Sequence, residues 1–262
     1  MTHAAPLPRP LIEVSHVNAF YGATQALDDV SLSIFEGDFL GIIGPNGGGK
    51  TTLLHVMLGL KKQRSGTVSY YNNGTRAREI AIGYLPQENA IDRQFPITVF
   101  DVVLSGLSRQ KPLLRPFTRA QRQQAMETIG KMGLQGLESR PIGALSGGQL
   151  QRAMLARAVV SKPRVLMLDE PNTYIDKRFE AQMYDMLNAI NRHCAVVIVS
   201  HDIGTVLQNV RNVACVNRTL HYHSGAEITT EDIEHGFGCP VELLGHGDLP
   251  HRVLKNHTSN NK

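Results

Sequence analysis

"DFLGII", Asp38 to Ile43, runs without a break into "GPNGGGKT", Gly44 to Thr51. The first piece is a short apolar run of the kind that forms a strand buried on both faces. The second is a glycine loop that closes on a Lys-Thr pair and opens into an apolar segment, which predicts a helix over Lys50–Leu60. Strand, glycine loop and helix in this order make a cradle for phosphate. The glycines Gly44, Gly47, Gly48 and Gly49 let the chain curl, so that successive N–H groups point inward at phosphate oxygens. The positive end of the helix adds to the attraction. Lys50 is placed to neutralise β- and γ-phosphates, and the Thr51 hydroxyl to ligate Mg²⁺. An ordinary glycine-rich turn is the bland alternative, and it leaves the flanking strand and helix as coincidence.

Outward from the loop, Leu11–Val17, Ala26–Ile34, Thr67–Tyr71 and Ile80–Leu85 cluster or alternate β-branched residues and predict strands. From about residue 89 to 162 the character changes, and polar helical segments such as TRAQRQQAMETIGKMG predict a mainly helical insertion. Arg164–Leu168 and Ala195–Ser200 read as buried strands on either side of a helix over Asp176–Asn191. Buried strands alternating with helices imply an α/β fold around a parallel sheet covered on both faces. The expected organisation is a flexible N-terminus over 1–10, one domain over 11–225 and a C-terminal extension over 226–262. The short glycine- and histidine-containing pieces after Gly225 are not placed by their pattern, and no internal repeat is present.

Composition narrows the function classes. Of 262 residues 42% are hydrophobic and 19% charged, enough for a normal core and against disorder. The formal net charge of +4 is mild. Part of it falls in Arg109–Arg122, where Arg109, Lys111, Arg115, Arg119 and Arg122 meet no acid. A solvated face, an acidic partner surface and lipid headgroups all fit this stretch. Its one aromatic, Phe117, gives no stacking pattern, so no nucleic-acid partner is expected. Three cysteines, an odd number without CxxC spacing, argue against a disulfide scaffold and for a reducing compartment. MTHAAPLPRP is proline-broken and has no apolar segment, so no signal peptide is expected. No apolar stretch approaches the length of a membrane span.

Two further motifs follow the glycine loop. "VLMLDE", Val165 to Glu170, puts Asp169 and Glu170 at the end of a buried strand. Asp169 is placed to hold the Mg²⁺ shell and Glu170 to polarise an attacking water; alone, the pair reads equally as a helix N-cap. "LSGGQ", Leu145 to Gln149, precedes the helical run LQRAMLARAVV. Its adjacent glycines bare backbone N–H groups at a positive helix end, which makes a second anion cradle.

Glycine loop, LSGGQ and VLMLDE in this order and spacing resemble the ATP-binding cassette of ABC proteins, over roughly Leu11 to Leu220. The resemblance implies a P-loop ABC nucleotide-binding domain: a mostly parallel core sheet, an N-terminal antiparallel β part and a helical subdomain insertion. It implies ATP and Mg²⁺ as ligands. Gln87 in GYLPQE then matches the glutamine that senses γ-phosphate and Mg²⁺, and His201 in IVSHD the switch histidine. Tyr21 in FYG matches the aromatic that stacks on adenine, and Asp176 in NTYID the aspartate of the loop after the acidic strand. Lys50, Gln87, Glu170 and His201 become the catalytic set, and Thr51, Gln87 and Asp169 the Mg²⁺ set. Gly44, Pro45, Asn46, Gly47, Gly48, Gly49, Thr51 and Thr52 join Tyr21, Lys50 and Asp176 around the nucleotide. In this family two cassettes pair head to tail, so Ser146, Gly147, Gly148 and Gln149 serve the ATP held by a partner. One glycine loop and one LSGGQ per chain then imply a two-fold homodimer. Gly48 stands where many relatives carry Ser, and Tyr174 is bulkier than the residue usual in its loop.

A cassette does not name its cargo. FPITVFDVVLSGL, LDEPNTYID and the tail GCPVELLGHGDLPHRVL resemble the ATPase subunits of zinc, manganese or iron importers. That resemblance implies an energy-coupling subunit at the cytoplasmic face of the cell membrane. Its implied partners are membrane permease subunits, a second copy of itself and an extracytoplasmic substrate-binding protein. An ABC ATPase for another cargo, such as a siderophore or lipid, and a soluble non-transport ABC protein stay open beside it. Phe95, Pro96, Ile97, Val99 and Phe100 read equally as subdomain core and as a docking surface. His221, His223, Cys239 and His246 have no established zinc-ligand spacing.

Overall fold

The computed structural model describes residues 10–87, 95–112, 115–171, 177–225, 241–246 and 249–254. It divides into two compact units. The first takes in the start of the chain to Ile12, Ile34–Asp38 and Ser69–Ile198. The second takes in Glu13–Ser33, Phe39–Val68 and the chain from Val199 onward.

In chain order the strands and helices begin with β1 (Pro10–Tyr21), β2 (Thr24–Phe35), β3 (Phe39–Ile43), α1 (Lys50–Met57) and β4 (Ser65–Asn72). Then come β5 (Thr75–Ala77), β6 (Ile82–Leu85), α2 (Val99–Ser105), α3 (Arg119–Lys131) and α4 (Gly147–Val159). The chain continues with β7 (Val165–Asp169), α5 (Lys177–Asn191), β8 (Ala195–Val199), α6 (Ile203–Asn209), β9 (Asn212–Asn217) and β10 (Thr219–Ser224). A hairpin of β11 (Val241–His246) and β12 (Leu249–Leu254) follows.

In the first unit the strand order is β8-β7-β6. β6 and β7 run parallel, with Ile82 opposite Val165 and Leu85 opposite Leu168. Every residue of β7 (VLMLD) and of β8 (AVVIV) is buried. Burial on both faces is what made these strands read as continuous apolar runs rather than alternating ones. Removing a side chain of that size from water contributes roughly 1.5–3 kcal/mol, so the strand that ends in Asp169 is held firmly. The helical insertion belongs to the same unit, where α2 packs on α3 and α4, and α4 packs on β6. Its helices start on the caps their sequences carry. Thr118 with Gln121 forms a capping box at α3, and Ser146 with Gln149 forms another at α4.

In the second unit the order is β10-β9-β3, with β3 and β9 parallel and β9 and β10 an antiparallel hairpin turning at Arg218. β2, β1 and β4 are neighbours in a separate sheet, and the end of β4 pairs antiparallel with β5 in the first unit. α/β architecture with parallel strands and an N-terminal antiparallel part is therefore the fold.

The differences from expectation have local causes. α1 stops at Met57 rather than Leu60, because Gly59 at φ 69 forms a left-handed terminus. Its N–H donates to Val56 O and that of Leu60 to His55 O. β1 continues past Val17 to Tyr21. His16, exposed and at φ 51, interrupts the alternation there and hides the rest of the strand. The pair β9–β10 and the hairpin β11–β12 were not anticipated. The latter, with β12 lying against α6, falls in the segment that the sequence pattern left unplaced.

Candidate active site

The glycine loop lies in the second unit and leads from β3 into α1. Its conformation requires glycine. Gly44 and Gly49 adopt φ 153 and 102, and a Cβ would stand 2.0 Å from Val216 O at the first and 2.4 Å from Ala26 O at the second. The β9–β10 turn buttresses the loop from behind. Arg218 N–H donates to Gly48 O at 2.8 Å, and Asp28 N–H donates to Arg218 O at 2.8 Å. Nothing in the sequence signalled this support.

Lys50 begins α1 and is only 5% exposed. Its Nζ donates to Gly44 O and Pro45 O, each at 2.9 Å, so the ammonium arches over the loop it follows. Thr51 is exposed in the first turn of α1, Thr52 is buried beside it, and Gly49 caps the helix without a side-chain bond. The first-turn N–H groups thus remain a positive end.

Two more expected residues belong to this unit. Tyr21 ends β1 with 53% of its surface exposed, and Lys61 Nζ sits 3.7 Å from its ring centroid, a cation–π contact that the sequence did not suggest. His201 is exposed just after β8. Ser200 N–H donates to Ile42 O at 3.1 Å, and Asp202 caps α6 by accepting from Thr205 N–H.

The first unit holds the acidic pair. Asp169 ends β7 at 2% exposure, and its charge acts on Tyr84. Burial first, and that carboxylate second, push the Tyr84 phenol up to about 12. Glu170 follows in a left-handed conformation, φ 47. Gln87, just past β6, donates from Nε2 to Glu170 Oε2 at 2.9 Å. Two residues 83 apart in the chain, singled out for different reasons, are therefore in direct contact.

LSGGQ is in the same unit. Leu145 is buried and anchors the motif, while Ser146 and Gly147 are exposed. Ser146 Oγ accepts from Gln149 N–H at 3.3 Å, and Gln149 Oε1 accepts from Ser146 N–H at 3.1 Å. The motif is thus a rigidly capped helix N-terminus with its glycines at the rim. Two residues further, Gln151 Nε2 donates to Pro171 O, next to Glu170, while Gln151 Oε1 is buried without a partner among the described residues. Gln151 is a functional candidate that the sequence reading missed; its adjacency to LSGGQ was the available signal.

Asp176, Tyr174, Cys239 and the stretch 88–94 lie outside the described residues. Among the described residues, no group of three His, Cys, Asp or Glu side chains could hold a metal ion, and no helix is long and apolar enough to cross a membrane.

The sequence pattern of the family described as "ABC transporter" matches residues 27–173. The chain is 37% identical over 227 residues to a "Probable metal transport system ATP-binding protein" of Thermotoga maritima, covering 86% of this chain and 89% of the relative. It is 32% identical over 234 residues to the "Zinc import ATP-binding protein ZnuC" of Pasteurella multocida, covering 88% and 82%. Among solved structures, a metal-chelate type ABC transporter in an inward-facing conformation superimposes with a TM-score of 0.81 at 24% identity, over 94% of this chain and 97% of that one. This last likeness is one of fold.

Proposed function

The chain belongs to the ABC transporter family, and from that membership we propose that it is the energy-coupling subunit of an importer for divalent metal ions (zinc, manganese or iron). ATP hydrolysis is general to the ATP-binding domains of the family. The cargo reading draws on the metal and zinc transport relatives, each alike over most of its length. It places the chain peripherally at the cytoplasmic face of a membrane, as a homodimer on permease subunits fed by an extracytoplasmic binding protein.

The donor set suits ATP with Mg²⁺. A buried carboxylate at a strand end, a hydroxyl in the first turn of a helix and an amide oxygen are hard oxygen ligands, supplied by Asp169, Thr51 and Gln87. The loop has no room for Cβ atoms at Gly44 and Gly49, so only bare backbone faces the phosphates. When bound, Mg²⁺ offsets charge that builds on the phosphate oxygens.

The residues then divide the work. Gly44, Pro45, Asn46, Gly47, Gly48 and Gly49 wrap the phosphates with backbone N–H groups. Lys50 exchanges its two carbonyl partners for phosphate oxygens, and Thr52 and Asp176 complete the nucleotide contacts. Tyr21 receives adenine on its exposed ring. Glu170 accepts a proton from the water that attacks γ-phosphorus, and Gln87 holds the carboxylate oriented until then. His201 donates to the γ-phosphate. Ser146, Gly147, Gly148 and Gln149 close over the nucleotide of the second copy, adding positive helix-end potential to the transition state.

The observation that carries this reading is the start of α4, capped by Ser146 with Gln149 and exposed at Ser146 and Gly147. The test is uptake of radiolabelled Zn²⁺, Mn²⁺ and Fe²⁺ by cells that carry Glu170→Gln in place of the native chain. Loss of metal uptake with unchanged siderophore and lipid transport supports it. Uptake of all three metals at the native level overturns the cargo assignment.

A further inference from the structure

Within the first unit, at the end of β7 opposite Asp169, the last turns of α3, α4 and α5 converge on a cavity of about 490 Å³. That volume is in the range of small-molecule sites, about 300–1,000 Å³. The floor is apolar: Met132, Val160 and Pro163 are buried there, and Met186 and Ile190 form a wall. Its polar atoms are already used. Thr128 Oγ1 donates to Gln124 O at 2.8 Å, and Cys194 Sγ donates to Ala195 O at 3.2 Å.

The lining carries no acid, and its basic side chains are Lys131, Lys162, Arg164 and His193. Arg164 is committed to Glu36 and to Asn72. The other three side chains make no hydrogen bond or ion pair among the described residues, and Lys131 and Lys162 are exposed at the mouth. Basic residues at helix C-termini commonly offset orphan carbonyls. Here amides do that instead: Gln124 donates to Val160 O, Gln110 to Ser161 O and Gln135 to Gly130 O. The two ammonium groups and the His193 ring therefore stand at the mouth of an apolar groove without a partner among the described residues.

We propose that this groove binds an amphipathic monoanion of the fatty-acid type. The carboxylate sits among Lys131, Lys162 and His193, and the chain lies along Met132, Val160, Met186 and Ile190. A carboxylate gains charge-assisted hydrogen bonds at the rim. A methylene chain asks for no polar partner on a floor that offers none, and two methionines adapt to its shape. None of these residues belongs to the nucleotide site, so the inference stands or falls apart from the transport reading.

The test is titration of the full chain with decanoate below its micelle concentration, by calorimetry and by spectra of methyl-labelled methionine. Saturable one-to-one binding is expected, with the Met132 and Met186 methyls shifting. Affinity should fall at least about tenfold for 1-decanol, which lacks the charge, and at least about tenfold in the double variant Lys131→Glu, Lys162→Glu. Ala189→Phe, an exposed change on the groove wall, should block binding while circular dichroism and ATP hydrolysis stay native. Absence of saturable binding, methyl shifts confined to other methionines, or an affinity indifferent to the charge reversals would overturn the proposal.

Discussion

At the scale of single residues, Glu170 combines its proposed role as base with backbone strain. A non-glycine residue at φ 47 costs on the order of 1 kcal/mol, and such strain gathers at working sites. Glu170→Gly should therefore raise the unfolding free energy by up to about 1 kcal/mol while abolishing hydrolysis; denaturant titration beside a phosphate-release assay reads both. A variant that is inactive and also less stable would remove the strain argument. Gly49→Ala should fail to bind nucleotide, because its Cβ would meet Ala26 O at 2.4 Å; equilibrium dialysis with labelled ATP checks it. Cys194 gives a pH prediction. Burial pushes its thiol up to about 12, opposed in part by a backbone N–H at Leu166 and by Arg164. The folded chain holds that proton more tightly than the unfolded chain, so the contribution is complete below the ordinary thiol value of 9.0 and is lost as pH rises toward 12. Thermal midpoints should fall through that window less steeply in Cys194→Ala than in the native chain. The residue types at the glycine loop, Asp169, Glu170 and LSGGQ were legible because each motif is short and its chemistry local. The contacts were not. Gln87 meets Glu170 across 83 residues, and Lys50 is folded onto Gly44 and Pro45, and neither follows from spacing.

Among the elements, α4 connects two motifs. Its start is LSGGQ, and one turn along it Gln151 bonds to Pro171, beside Glu170. Gln151→Leu removes the bond and should slow hydrolysis without preventing ATP binding, since Glu170 loses an anchor and the phosphate loop loses nothing. A rise in the dissociation constant for ATP with kcat intact would be the contrary result. Ser146→Ala should cost about 1 kcal/mol by loss of the α4 cap, read as a lower melting temperature in the absence of nucleotide. Sequence legibility at this scale follows burial. β3, β7 and β8 are buried along their whole length and were recognised as apolar runs. β10, an edge strand with four of its six residues exposed and none fully buried, carries almost no signal of that kind. The β11–β12 hairpin did have one, since Gly247-Asp248 separates two apolar segments, a two-residue hairpin signature that was overlooked among the surrounding glycines and histidines.

For the whole molecule, the α/β fold follows from strand–loop–helix order, and the likeness to solved structures agrees with it. The groove at the ends of α3, α4 and α5 left no trace in the sequence, because its basic residues come from three separate segments that only folding gathers. In the proposed assembly ATP is enclosed by the glycine loop of one copy and the LSGGQ of another. Hydrolysis normally reopens such a dimer, so a chain that binds ATP without splitting it should stay closed. The most direct measurement is light scattering of Glu170→Gln during size exclusion, with saturating ATP and Mg²⁺. A species of twice 28.8 kDa is expected, absent with ADP and absent when Ser146→Arg is added to the same chain. A monomer under saturating ATP, or a dimer indifferent to Ser146→Arg, would contradict it.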